Sequence, residues 1–236
     1  MYGLIARYEP AFLSEAAYKR YAKAVSAAVR GGRGLDVGCG AGYLTRALYA
    51  EGLSVTGADT DRVMLDRAAG ASGPRIPYVE LDAEKGLDGF KELAFITAAT
   101  DVVNHMRTLD RFFSGAYRAL QKNGRLFFDI SSADKLKTVV KDQTFLKSEA
   151  QFDRIWHNTY DGDNRRIRMT VTYFIREADG RYRKEEGAGI QYIWEGREIA
   201  GALKAAGFAN IRVCGPDLSA PPEKDAQRIF FIAEKL

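Results

Sequence analysis

The feature that most constrains this chain is a bend between an apolar run and a helical one: Leu35-Asp36-Val37-Gly38-Cys39-Gly40-Ala41-Gly42. An acidic residue sits at the end of the apolar run, and glycines at alternate positions then turn the backbone into a helix. Glycine has no Cβ, so such a loop can bend sharply and lie close against a bound ligand. A strand that feeds a helix through a turn of this kind points to a layered α/β fold on a parallel sheet.

The remaining pattern agrees. The opening thirty residues read as helical, with Tyr18, Tyr21, Ala22, Val25, Ala28 and Val29 near helical spacing and Gly31-Gly32 ending the run. Strands are predicted over 34–37, 53–58, 77–81, 93–98 and 125–130, alternating with helices over 43–51, 61–69 and 110–120. Right-handed crossovers bring these strand ends to one edge, where ligands bind in such sheets. After Ser131 the rhythm changes. Residues 151–160, 165–176 and 181–194 alternate polar and apolar, with turns at Asp161-Gly162-Asp163-Asn164 and Asp179-Gly180, which predicts an inserted antiparallel meander of about three strands. A helix over 197–206, closed by Gly207, leads to strands over 211–214 and 228–233, paired as a hairpin across a connection from Pro216 to Pro222. The predicted fold class is therefore α/β: a Rossmann-like, seven-stranded, mostly parallel sheet with one antiparallel strand, helices on both faces and a β insert. Residues 1–133 and 195–236 form the sheet domain, and 134–194 form the inserted subdomain, as an acceptor lid or a dimer surface.

At 236 residues the chain can bury one sizeable core, and its 46% apolar and 28% charged content fits a globular protein. It shows neither a charged-apolar-small leader nor an apolar run of membrane-spanning length, so the expected address is cytoplasmic and no membrane partner is expected. Cys39 and Cys214 are expected as reduced thiols. A net charge of +4 is mild, and the densest basic cluster, Arg165-Arg166-Ile167-Arg168, reads as a solvated strand face and not as a nucleic-acid footprint.

Three signals follow the glycine turn in order. Asp59, followed by Thr60, ends the second strand 23 residues after Asp36, where a carboxylate can accept hydrogen bonds from both ribose hydroxyls of an adenosine. Asp82-Ala83 ends the third strand; an acceptor side chain followed by a backbone N–H can read the amino edge of adenine, or the Asp can cap a helix. Met64, one turn into the helix after Asp59, can cover the adenine face or simply pack in the core. The fourth strand runs into Thr100-Asp101-Val102-Val103-Asn104-His105-Met106, at the edge that adjoins the glycine turn.

Together, these segments resemble class I S-adenosylmethionine-dependent methyltransferases, whose acid-x-Gly-x-Gly-x-Gly spacing differs from the Gly-x-Gly-x-x-Gly of nicotinamide enzymes. The meander, Tyr8-Glu9, Arg154-Ile155-Trp156 and Arg228-Ile229-Phe230-Phe231 narrow the resemblance to a small bacterial group related to deoxysugar N,N-dimethyltransferases. The resemblance implies that S-adenosylmethionine is the cofactor and S-adenosylhomocysteine the product. It implies that Asp36, Gly38 and Gly40, with Cys39 and Gly42 in the same turn, hold the methionine end. It further implies that Asp59 binds the ribose and that Asp82 with Ala83 binds the adenine; Thr60, Met64 and Thr100, beside them in the chain, are further candidate cofactor contacts. Tyr8 matches an aromatic residue that closes over the cofactor in relatives, and Tyr18 a second one.

Methyl transfer from an activated donor depends on positioning and desolvation, and needs a base only where the acceptor holds a proton. His105 sits where some sugar amine methyltransferases carry a histidine proposed to act on the acceptor; a structural or helix-starting role is the alternative. Asp101 is the second catalytic candidate, as an acceptor-orienting carboxylate or a partner of the donor's ammonium. His157 reads as a sheet residue. No Asn/Asp-Pro-Pro-Tyr follows the fourth strand, no cysteine stands at a fourth- or fifth-strand tip, and no cluster has metal-ligand spacing. The expected acceptor is a small molecule methylated on nitrogen or oxygen, with Trp156, Tyr160, Tyr173, Tyr192 and Trp194 walling its pocket or facing a partner subunit in a homodimer formed through the inserted sheet. Two rival readings are a nicotinamide oxidoreductase and a non-catalytic S-adenosylmethionine-binding regulatory protein.

Overall fold

The computed structural model describes residues 1–9, 13–215 and 218–236. The helical opening divides into two helices, α1 (Tyr2–Tyr8) and α2 (Glu15–Ala28), the second capped by Ser14, whose hydroxyl accepts from Ala17 N. Strand and helix then alternate: β1 (Arg33–Val37), α3 (Tyr43–Ala50), β2 (Ser54–Asp59), α4 (Arg62–Ser72), β3 (Tyr78–Glu80), β4 (Leu93–Ala98), α5 (Asp110–Ala119) and β5 (Leu120–Ser131). An inserted run of β6 (Thr144–Ser148), β7 (Phe152–Asp161), β8 (Arg166–Arg176) and β9 (Tyr182–Tyr192) follows. The chain closes with α6 (Gly196–Ala205), β10 (Ala209–Cys214) and β11 (Arg228–Glu234).

Seven strands form one sheet in the order β10-β11-β5-β4-β1-β2-β3, parallel except for β11, which runs antiparallel to both β5 and β10. Pro216 and Asp217, at the head of the connection between β10 and β11, lie outside the described residues. β4 is buried at every position, as expected for a central parallel strand covered on both faces. Phe112, Phe113, Ile199 and Leu203 of α5 and α6 pack on one face, while Tyr21, Val25, Leu44 and Leu48 of α2 and α3 pack on the other. The strand order reverses between β1 and β4, so the β1–α3 turn and the loop after β4 open side by side at the carboxyl edge.

The insert forms a separate antiparallel sheet, β6-β7-β8-β9, with four strands in place of about three. The extra strand is β6, whose five residues are few, mostly exposed and place Phe145 beside Leu146, so that no alternation shows in the sequence. Along β8 the residues Ile167, Met169, Val171 and Tyr173 are buried and their neighbours are not, so one face turns inward. That inner face packs on α1 through Ile5, Phe152, Val171 and Tyr173. Among the described residues no helix is long and apolar enough to cross a membrane.

Candidate active site

The bend after β1 is held from within. Asp36 is 1% exposed, and its two carboxylate oxygens accept from Thr45 Oγ1 of α3 and Thr97 Oγ1 of β4, each at 2.7 Å. Burial pushes its pKa up to about 6, against the opposing pull of the two hydroxyls. Gly38 and Gly40 have φ of +64° and +52°. A Cβ on Gly38 would stand 2.3 Å from Val102 Cγ2, whereas one on Gly40 would meet only the Met64 sulfur, at 4.0 Å. Gly38 is therefore required by packing, while Gly40 leaves open space where a ligand can lie against the backbone.

Asp59, at the tip of β2, accepts from Gly40 N at 2.8 Å and Asp61 N at 2.9 Å. It thereby ties the glycine turn to the head of α4, whose first turn Asp61 caps. Burial raises its pKa. Past β3, Asp82 accepts from Glu84 N at 3.2 Å and pairs with Lys85 at 3.0 Å, and Ala83 begins a short 3₁₀ turn.

After β4 the backbone is unusual. Thr100 and Asp101 are consecutive non-glycine residues at φ of +63° and +68°, a conformation L-residues avoid. Asp129 of β5 holds them there, accepting from Thr100 N at 2.7 Å and Asp101 N at 3.2 Å. Arg228 of β11 bridges Asp129 and Asp101, lying 2.8 Å from Asp101 Oδ1. His105 ends the next 3₁₀ turn, with Nδ1 at 2.6 Å from the Ile190 carbonyl of β9 and Nε2 at 2.8 Å from the Tyr2 hydroxyl. Burial lowers its pKa, so the ring is neutral at pH 7.

These groups open into a cavity of about 1040 Å³ between the sheet edge and the insert. Tyr18, Asp36, Gly38, Cys39, Gly40, Asp59, Thr60, Met64, Asp82, Ala83, Thr100, Asp101 and His105 all line it. Two predicted residues do not. Gly42, at φ of +75°, serves as the N-cap of α3 with its Cα facing Tyr78 and Ala68. Tyr8 turns away from the cavity: its ring packs on Phe152 and Tyr173, and its hydroxyl donates to Glu185 at 2.9 Å. The aromatic residue that α1 offers to the cavity is Tyr2, six residues earlier. Of the five aromatic residues expected as walls, Trp156 and Tyr192 line the cavity. Tyr173 is buried beneath it and donates to Glu9, Trp194 donates to the Met106 carbonyl at 3.2 Å, and Tyr160 lies under Lys141. His157 is exposed beside Thr144.

Sequence reasoning assigned no site role to Tyr2, Glu9, Asp129, Arg154 or Arg228. Glu9 accepts from Lys147 at 3.0 Å and Arg154 at 2.6 Å as well as from Tyr173, and these bonds hold its pKa below the usual range despite burial. Arg154 and Glu9 line the cavity opposite the glycine turn. The only signal for them in the sequence was the resemblance carried by Tyr8-Glu9 and Arg154-Ile155-Trp156.

A cavity this size stands at the upper end of the range of about 300–1000 Å³ usual for ligand pockets, with room for a donor and a small acceptor together. The methyltransferase domain family matches residues 11–213. The chain is a member of that family. It is 28% identical, over 85% of its length and 83% of the relative's, to a protein of Geobacillus sp. (strain WCH70) that carries the methyltransferase name. Its fold is similar to an S-adenosylmethionine-dependent methyltransferase of Clostridium acetobutylicum (TM-score 0.84, 20% identity, covering 98% of this chain and 96% of that one). It is also similar to the S-adenosylmethionine-bound CalS10, an amino pentose methyltransferase of Micromonospora echinaspora (TM-score 0.70, 22% identity, covering 97% and 100%). The protein is thus a methyltransferase on the Rossmann-like fold. The open space at Gly40 and the rim carboxylate of Asp59 fit S-adenosylmethionine, the molecule bound to CalS10.

Proposed function

We propose that this methyltransferase acts on nitrogen or oxygen of a small acceptor bound between the glycine turn and the inserted sheet. The observation that carries this reading is the single cavity that runs from Gly38 and Gly40, past His105 and Asp101, to Trp156 and Met169 of the insert. Enclosure by α1 and the insert suits a small molecule, and sugar amine methyltransferases share the fold.

S-adenosylmethionine, when bound, supplies a methyl carbon on a positively charged sulfur, activated for in-line displacement. Under this reading Gly38 and Gly40 present backbone to the methionine end, Asp59 and Thr60 meet the ribose, and Asp82 with Ala83 meets the adenine, with Met64 beneath it. Asp36 acts indirectly, by fixing the turn through Thr45 and Thr97. α1 and the insert exclude water from the acceptor. Asp101, oriented by Arg228 and Asp129, positions the acceptor's donor groups. Neutral His105 is the sink for a proton the acceptor releases.

The test is incubation with labelled donor and a panel of primary amines, phenols and size-fractionated cell extract. Label is expected in low-molecular-weight product; label confined to protein or nucleic acid contradicts the reading. With the best acceptor, His105→Ala should lower kcat by roughly a hundredfold while leaving S-adenosylhomocysteine affinity unchanged; unaltered turnover removes His105 from the chemistry.

A further inference from the structure

His105 has no nitrogen to spare for an acceptor. Its Nδ1 lies 2.6 Å from a carbonyl oxygen, which can only accept, so Nδ1 carries the ring proton. In the neutral ring Nε2 then bears a lone pair, and the Tyr2 hydroxyl, 2.8 Å away, donates to it. The two rings meet edge to face at 81°, with centroids 5.1 Å apart. Tyr2 comes from α1 and Ile190 from β9, so elements outside the main sheet fix the tautomer from both sides. Tyr2, His105 and Asp101 all line the cavity.

We propose that Tyr2 is a second catalytic residue, the group through which a proton leaving the acceptor reaches His105. The inference rests on the reading of His105 as the proton sink. In the step, the acceptor's lone pair forms the bond to the methyl carbon, and the carbon–sulfur pair stays with sulfur. The acceptor's proton passes to the phenolic oxygen as the phenolic proton passes to Nε2, leaving a neutral phenol beside an imidazolium. A phenolic oxygen that donates one proton retains lone pairs to receive another.

The electrostatics favour exchange over a resting phenolate. Burial, and secondarily the charge of Asp101, hold the Tyr2 phenol far above its ordinary range, while burial lowers the imidazole pKa. The resting pair is phenol and neutral imidazole, and only a coupled transfer avoids a buried phenolate. Asp101 is the charged group that acts on both rings; Arg228 pairs with its carboxylate, Asp129 accepts from its backbone N, and Lys135 lies near the same three groups. Its carboxylate favours the imidazolium that the step produces.

The chain has two histidines, so ¹⁵N-histidine NMR of the protein saturated with S-adenosylhomocysteine resolves His105 once His157→Gln assigns the other. The Nδ1–H tautomer is expected, and Tyr2→Phe, which keeps the ring, should move the His105 Nε2 resonance and its titration. An Nε2–H tautomer, or spectra unaltered by Tyr2→Phe, overturns the relay. With the best acceptor from the panel, Tyr2→Phe should lower kcat by roughly a hundredfold, and adding His105→Ala should cost nothing more. Turnover lost in His105→Ala but intact in Tyr2→Phe overturns the relay and leaves His105 its role; turnover intact in both overturns that role as well. Should Tyr2→Phe fail to fold, a proton inventory on the intact enzyme decides: a curved dependence on deuterium content supports two protons in flight, and a linear one contradicts them.

Discussion

At the scale of single residues, two aspartates near the bend do different work. Asp59 reaches the cavity while holding Gly40 N and Asp61 N, so it is both a candidate ligand and a strut. Asp59→Ala should weaken S-adenosylhomocysteine binding at least tenfold, about 1.4 kcal/mol, in isothermal titration; unchanged affinity removes Asp59 from the site. Asp36 is buried and spends both oxygens on threonines. Its carboxyl titrates near 6 in the folded chain and near 3.8 when unfolded, so the native state binds this proton more tightly. Its contribution therefore favours folding increasingly as pH falls from about 7 towards 4, and opposes folding above that window. Asp36→Asn should remove that component: chemical denaturation of wild type and variant across pH 4–7 should show the variant gaining relative to wild type as pH rises. A pH-independent difference would mean that Asp36 is not the buried acid described. Sequence spacing found both residues, because a carboxylate at a strand tip is a local pattern. It could not tell the ligand candidate from the strut, since Thr45 and Thr97 come from separate elements.

At the scale of elements, α1 is held to the insert by polar contacts as well as by the apolar packing of Ile5 on Phe152, Val171 and Tyr173. Glu9, just past its C-terminus, gathers Lys147, Arg154 and Tyr173 from β6, β7 and β8. Removing this partly buried partner leaves Arg154 charged and uncompensated, a loss of up to about 3 kcal/mol. Glu9→Ala should thus lower the melting temperature by up to about 6–12 °C for a chain of this size; a change below about 1 °C would show that the cluster does not anchor the helix. The main sheet was legible because each strand–helix unit announces itself by period and punctuation. β6 was not, being short, mostly exposed and paired only with β7 at the edge of its sheet. Tyr8 illustrates the other limit. The resemblance located an aromatic residue on the correct element, but the orientation of α1 against β8 puts Tyr8 into the insert's core and Tyr2 at the cavity.

At the scale of the whole molecule, the cavity belongs to no single layer. The sheet edge supplies Gly38, Gly40 and Asp59, the loop after β4 supplies Asp101 and His105, and the insert supplies Trp156 and Arg154. Only the first two contributions follow from sheet topology, which fixes where strand ends open. The third needs the insert to fold back over that edge, and nothing in the spacing of its residues states that direction. Under the proposed function the bend receives the methionine end and its neighbouring carboxylates the nucleoside, while the insert side stays free for an acceptor. A crystal structure of the protein with S-adenosylhomocysteine measures this directly. The homocysteine end should lie along Gly38 and Gly40, with the ribose on Asp59, the adenine by Asp82 and Ala83, and the sulfur directed toward Tyr2 and His105. A nucleoside seated on the insert side at Trp156 and Arg154, with the glycine turn bare, would contradict it.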